Sequence, residues 1–128
     1  MPRRSKDFYR GISFQPPAPV AAAARRALER RAQQSPSQRG MTPVGLARAM
    51  QLINRQELSP TTIDRMVSYF ARHTLDKQGS SWSAYGKGRQ AWDGWGGDPG
   101  LRWARSIALR MDAAEQTSQR STNPPRRR

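Results

Sequence analysis

His73 is the chain's one histidine, and it stands three residues before Asp76, directly after Arg72. An imidazole beside a carboxylate is the pairing that orients a general base. His73 also falls near the end of a helical pattern, where a partly charged imidazole complements the helix dipole, and that reading is the plainer one. The nine acids are Asp7, Glu29, Glu57, Asp64, Asp76, Asp93, Asp98, Asp112 and Glu115, and none forms a paired acid–base motif. Gly79, Gly86 and Gly88 do not match a phosphate-loop or dinucleotide fingerprint, which would also need a preceding strand. There is no cysteine, so thiolate chemistry, disulfides and cysteine-based zinc sites are excluded. Neither an enzyme, nor a cofactor or metal, nor a small-molecule substrate is expected.

Binding chemistry is better represented. Trp82, Tyr85 and Trp92 are interleaved with Lys87 and Arg89. Single-strand binders stack bases on such rings beside basic grooves. Trp92 is assigned to the core, and Trp82 and Tyr85, in a Gly- and Ser-rich loop, are the freer pair. The stronger signal is charge: 20 Arg and 3 Lys give a net +14 over 128 residues. Arginine holds phosphate or carboxylate in bidentate fashion at any working pH. The balance favours a polyanion, with nucleic acid (DNA ahead of RNA) first, then an acidic protein surface, then anionic lipid. Residues 1–40 carry +7, residues 41–112 +4 and residues 113–128 +3. That distribution favours sequence-independent gripping over base-edge readout. The candidate contacts are Arg3, Arg4, Arg25, Arg26, Arg30, Arg31, Arg126, Arg127 and Arg128.

The elements that must position these residues read as helical. Residues 1–15 form an extended basic arm, with Phe8, Tyr9, Ile12 and Phe14 as hooks for another molecule or for the chain's own core. Val20–Gln34 is a helix by alanine and arginine content. Its apolar stripe of Val20, Ala24, Ala27 and Leu28 is too thin to hold it alone, so it docks loosely or orders on a partner. Thr42-Pro43 and Ser59-Pro60 each place a capping hydroxyl before a first-turn proline. The first opens a helix to about Asn54 that buries Val44, Leu46, Ala47, Met50 and Ile53. The second opens a helix with Ile63, Met66, Val67 and Phe70 at i, i+3, i+4 and i+7. The connector between them is too long for a helix-turn-helix. A helical piece around Arg89–Trp95 meets a corner at Gly96-Gly97, where glycine suits a helix C-terminus. Asp98 as N-cap and Pro99 in the first turn start a last helix with Trp103, Ala104, Ile107, Ala108 and Met111 inward. From Thr117 the tail reads as disordered. No apolar run approaches the roughly 20 residues of a membrane span.

The series GMTPVGLARAMQLINRQELSPTTIDRMVSYFARHTLDKQG, then GRQAWDGWGGDPGLRWA, resembles a family of small proteins of tailed bacteriophages, cyanophages among them, and of prophages. Its members are often encoded near head genes. The lead-in FQPPAPVAAAARRALERR is similar too, so the likeness spans residues 14–108. The loop before Gly88-Arg89 is shorter here than in the family's pattern. The family carries no catalytic assignment; the resemblance implies a phage setting, the virion head with host cytoplasm during assembly, and association with the head or its DNA.

The resulting expectation is an all-α domain of four to five helices with extended basic arms: residues 1–40 an arm with the Ala/Arg helix, 41–112 the core, 113–128 a basic tail. The expected function is non-enzymatic, head-associated nucleic-acid binding through the arms. The alternative is a cement or minor capsid protein whose arms, anchored by Phe8, Tyr9 and Phe14, bind neighbouring capsid subunits.

Overall fold

The computed structural model describes residues 2–122. Their regular structure is entirely helical: α1 Ala18–Ala32, α2 Pro43–Ile53, α3 Pro60–His73, α4 Lys87–Gly94 and α5 Gly97–Thr122, with short 3₁₀ turns at Lys6–Tyr9, Pro36–Gln38 and Thr74–Gln78. None of these helices is long and apolar enough to cross a membrane.

α1 corrects the expectation of a loosely docked helix. It packs on α4, α2 and α5, and Val20, Ala21, Ala23, Ala24 and Ala27 are buried. The stripe looked thin because its side chains are small, but what it meets is smaller still. A Cβ on Gly96 would lie 2.8 Å from Val20 Cγ1, and one on Gly97 3.2 Å from the Ala23 Cβ. Alanine against glycine lets two backbones approach, and dispersion across that contact replaces the bulk of large side chains. Gly96 and Gly97 both hold positive φ, at 111° and 64°.

The N-terminal segment is likewise no free arm. Tyr9 and Phe14 are 1% and 0% exposed and pack edge-to-face 6.2 Å apart. The Phe14 carbonyl accepts the Leu58 N–H at 3.0 Å. The hooks therefore pack on the chain's own core, with Tyr9 and Phe14 inside it and Phe8 and Ile12 partly exposed against it.

α2 is rotated from its expected setting. It buries Gly45, Arg48, Ala49 and Leu52, whereas Val44 and Met50 are 58% and 48% exposed. Arg48 holds a core position because its guanidinium lies 5.3 Å over the Trp95 ring and donates to Gln51 Oε1 at 2.5 Å. α3 buries Ile63, Met66, Tyr69 and Phe70 and packs on α5. Thr42 and Ser59 cap α2 and α3, each accepting a backbone N–H at 3.1 Å.

α5 buries Ala104, Ile107 and Met111 and continues helical through Thr122, so residues 117–122 are not the disordered tail expected. Asp98 takes a different part from the expected cap. Its carboxylate accepts the Trp92 indole N–H at 2.9 Å and the Lys77 ammonium at 2.7 Å.

Candidate polyanion-binding groove

Along α3 the residues facing away from the core are Thr61, Asp64, Arg65, Ser68 and Arg72, one stripe at helical spacing. They form one wall of an open groove of about 920 Å³. The segment Arg39–Gly40 and the first turn of α2 form the other wall, and Lys87 and Ala91 of α4 close one side. Tyr69 and Trp95 make the floor.

The floor is a ring stack. Tyr69 lies 4.6 Å from Trp95 at 8° between planes, and 4.5 Å from His73 at 27°. Burial pushes the Tyr69 phenol well above its ordinary range, and its hydroxyl has no hydrogen-bond partner. His73 Nδ1 is 3.0 Å from Asp76 Oδ2, so the sequence-adjacent pair is a contact in space. It orients the imidazole as a base site would, and equally ties the end of α3 to the following 3₁₀ turn. At the far side of Trp95, Arg48 is 7% exposed and its Nε is unpartnered. Burial, then repulsion from Arg65, makes its guanidinium easier to deprotonate than usual.

The groove's rim is cationic. Arg39, Arg65, Arg72 and Lys87 are exposed, and none has a carboxylate within salt-bridge distance among the described residues. The wall's acid, Asp64, is held by Arg3 at 2.8 Å. One polar side chain positions much of the rim. Buried Gln90 accepts the Gly40 N–H at 2.8 Å and donates to the Gln38 carbonyl at 3.1 Å and the Tyr85 carbonyl at 3.0 Å. It ties the 35–40 linker, the 79–86 loop and α4 together. Arg39 also donates to the Gln34 and Ala32 carbonyls, at 3.0 and 3.1 Å, closing the end of α1.

The loop expected to offer free aromatics is turned inward. Tyr85 is 2% exposed and donates a hydrogen bond to Asp93. Burial, then that bond, pushes its phenol up to about 12. The Arg89 and Arg30 guanidinium carbons lie 4.7 and 4.9 Å from the Tyr85 ring centroid. Arg26 and Arg89 stand 3.7 and 3.9 Å from Asp93. Trp82 is half-buried, edge-on to Trp92 at 6.0 Å. Of the four loop residues singled out, only Lys87 reaches the groove.

The candidate arm arginines divide. Arg3 is internal: it binds Asp64, Asp112 and Glu115 at 2.8, 2.6 and 2.6 Å with 12% of its side chain exposed. Hydrogen bonding to Asp64, then Asp112, holds it more firmly protonated than usual. Arg26 pairs with Asp93, and Arg31 Nε donates to the Gly40 carbonyl at 2.8 Å. Arg4, Arg25 and Arg30 stay exposed without a carboxylate partner, though Arg4 covers the Phe8 ring. Arg126, Arg127 and Arg128 lie outside the described residues. Arg65 and Arg72 are legible in the sequence on the outer face of α3, but neither they nor Arg39 are among the candidate contacts named from it. The i, i+7 spacing of Arg65 and Arg72 was the available signal, but only the fold brings Arg39 and Lys87 opposite them.

No family model, curated protein or solved structure matches the chain.

Proposed function

We propose that the chain is a non-enzymatic, phage-encoded, head-associated protein that holds nucleic acid electrostatically, without reading its sequence. The phage setting rests on the resemblance over residues 14–108. The binding rests on one observation: the carboxylates are consumed within the fold. Asp64, Asp112 and Glu115 serve Arg3, Glu57 serves Lys6, Asp76 serves His73, Asp93 serves Arg26 and Arg89, and Asp98 serves Lys77. Asp7 and Glu29 alone among the acids stand outside these pairs. Arg25 and Arg30 of α1, Arg65 and Arg72 of α3, and Arg102 and Arg105 of α5 are exposed without such partners. A surface whose cations are uncompensated over several helices suits a polyanion that touches many points at once.

The reading differs from the arm-based one in where the grip lies. With Arg3, Tyr9 and Phe14 built into the fold, the gripping surface is the helical body, joined by whatever charge the terminal arginines add.

Binding of full-length protein to random-sequence duplex DNA at about 50 and 200 mM salt tests it. A protein neutralising 6–10 phosphates loses roughly 10³–10⁵ in affinity over that range. Weak, salt-insensitive binding at both concentrations overturns the nucleic-acid reading and directs the arginines toward capsid acids.

A further inference from the structure

The groove between α2, α3 and α4 has a chemistry that a phosphate backbone does not require. Its rim is cationic, but its middle is apolar. Val44 is 58% exposed there, beside half-buried Met41. A bare polyanion gains nothing from covering those side chains. Nor are the floor rings laid open for bases. Tyr69 is stacked by both Trp95 and His73, and Trp95 by Tyr69 and the Arg48 guanidinium. Base stacking needs an exposed ring face, yet Tyr69 and Trp95 are 5% and 9% exposed.

We propose that this groove is the docking site for an acidic, amphipathic helix of a partner protein. The partner's apolar stripe covers Met41 and Val44, and its flanking carboxylates meet Arg65, Arg72 and Lys87. Two features favour this occupant over an uncharged one. The three cations lack carboxylates, and Arg65 adds like-charge repulsion to buried Arg48, which an incoming anion relieves. Arg65 and Arg72 are two turns apart on one face of α3, about 10.5 Å along its axis. Carboxylates two turns apart on a helix lying alongside share that spacing. Helix-in-groove docking uses such an apolar stripe with charged flanks. The inference shares Arg65 and Arg72 with the nucleic-acid reading but is separable from it, since duplex DNA needs no apolar centre and would not be weakened by V44D as the leucine peptide is.

The probe is a capped synthetic peptide of about five helical turns, with leucine at i, i+3, i+4 and i+7 and glutamate at most other positions. The control peptide replaces the leucines by serine and keeps the charge. Fluorescence anisotropy against the full chain is expected to show the leucine peptide binding at least about tenfold tighter, a difference of about 1.4 kcal/mol. R65Q/R72Q and, separately, V44D are each expected to weaken it about tenfold, while R102Q/R105Q on α5 leaves it within about twofold. These are exposed positions, and unchanged helical circular dichroism verifies that each variant folds. Equal binding of both peptides overturns the proposal. So does equal loss in all variants. Binding of an oligothymidylate that V44D weakens as strongly as it weakens the peptide also overturns it, assigning the groove to single strands instead.

Discussion

At the scale of single residues, the fold uses its few acids as fasteners. Asp98 shows how: its carboxylate is held below the ordinary carboxylate range, first by Lys77 and also by the Trp92 indole N–H. A depressed folded-state pKa contributes stability above the unfolded value, and that contribution is lost as pH falls through the folded one. Asp98→Asn keeps an acceptor for Trp92 but loses the ion pair with Lys77. The variant is expected to melt below the parent at pH 7, and the gap to close as pH drops through and below the usual carboxylate range. A gap that stays constant in thermal melts down to pH 3 would mean that the charge is not what stabilises. Part of this was legible in the sequence. The Asp98-Pro99 step marks the start of α5, and the His73–Asp76 pairing was visible in its spacing. That Asp98 reaches back to Trp92 and Lys77 was not, because such bonds depend on how the corner folds over. The exposed Val44 and buried Arg48 run against residue type, and Arg48 is accommodated by stacking on Trp95 and a hydrogen bond to Gln51.

At the scale of elements, the decisive contact is α1 against the α4–α5 corner. Sequence periodicity correctly locates the helices and the glycine corner, because caps, prolines and apolar spacing are local signals. It undervalues α1 because alanine is small in any count of hydrophobic bulk. The count cannot show that glycine lies opposite. Gly96 tests this contact directly. It has positive φ, and a Cβ there would approach Val20 Cγ1 at 2.8 Å and the Gly100 Cα at 2.9 Å. One neighbour is backbone, which does not move aside as a flexible side chain does. Gly96→Ala is therefore expected to cost about 2–4 kcal/mol, combining left-handed strain with overpacking. Chemical denaturation measures it; a loss under about 1 kcal/mol would mean that the corner relaxes freely.

At the scale of the whole molecule, the N-terminal segment and α1 contribute to the same core as the later helices. Tyr9, Phe14, Val20 and Ala24 share one cluster with Leu52, Ile63, Phe70, Trp92 and Met111. A chain beginning at residue 41 leaves that cluster open along the side where α1 packs. It is expected to lose cooperative unfolding and near-ultraviolet circular dichroism while keeping part of its helical signal. A sharp, parent-like thermal transition in that fragment would restore the idea of an independent 41–112 unit. Global charge was the most legible property, but its deployment was not, because the sequence does not reveal which carboxylates turn inward. The seat of Met41 has one more consequence, in redox terms. All five sulfurs are thioethers, since the chain has five methionines and no cysteine. Met66 and Met111 are fully shielded, Met50 is about half exposed, and Met41 lies in the groove with its methyl end over Gly94. Sulfoxide formation makes a flexible apolar side chain polar. Mild oxidants are therefore expected to reach Met50 and Met41 before Met66 and Met111, and a sulfoxide at Met41 would place a polar oxygen beside Gly94, where α1 and α4 meet the groove.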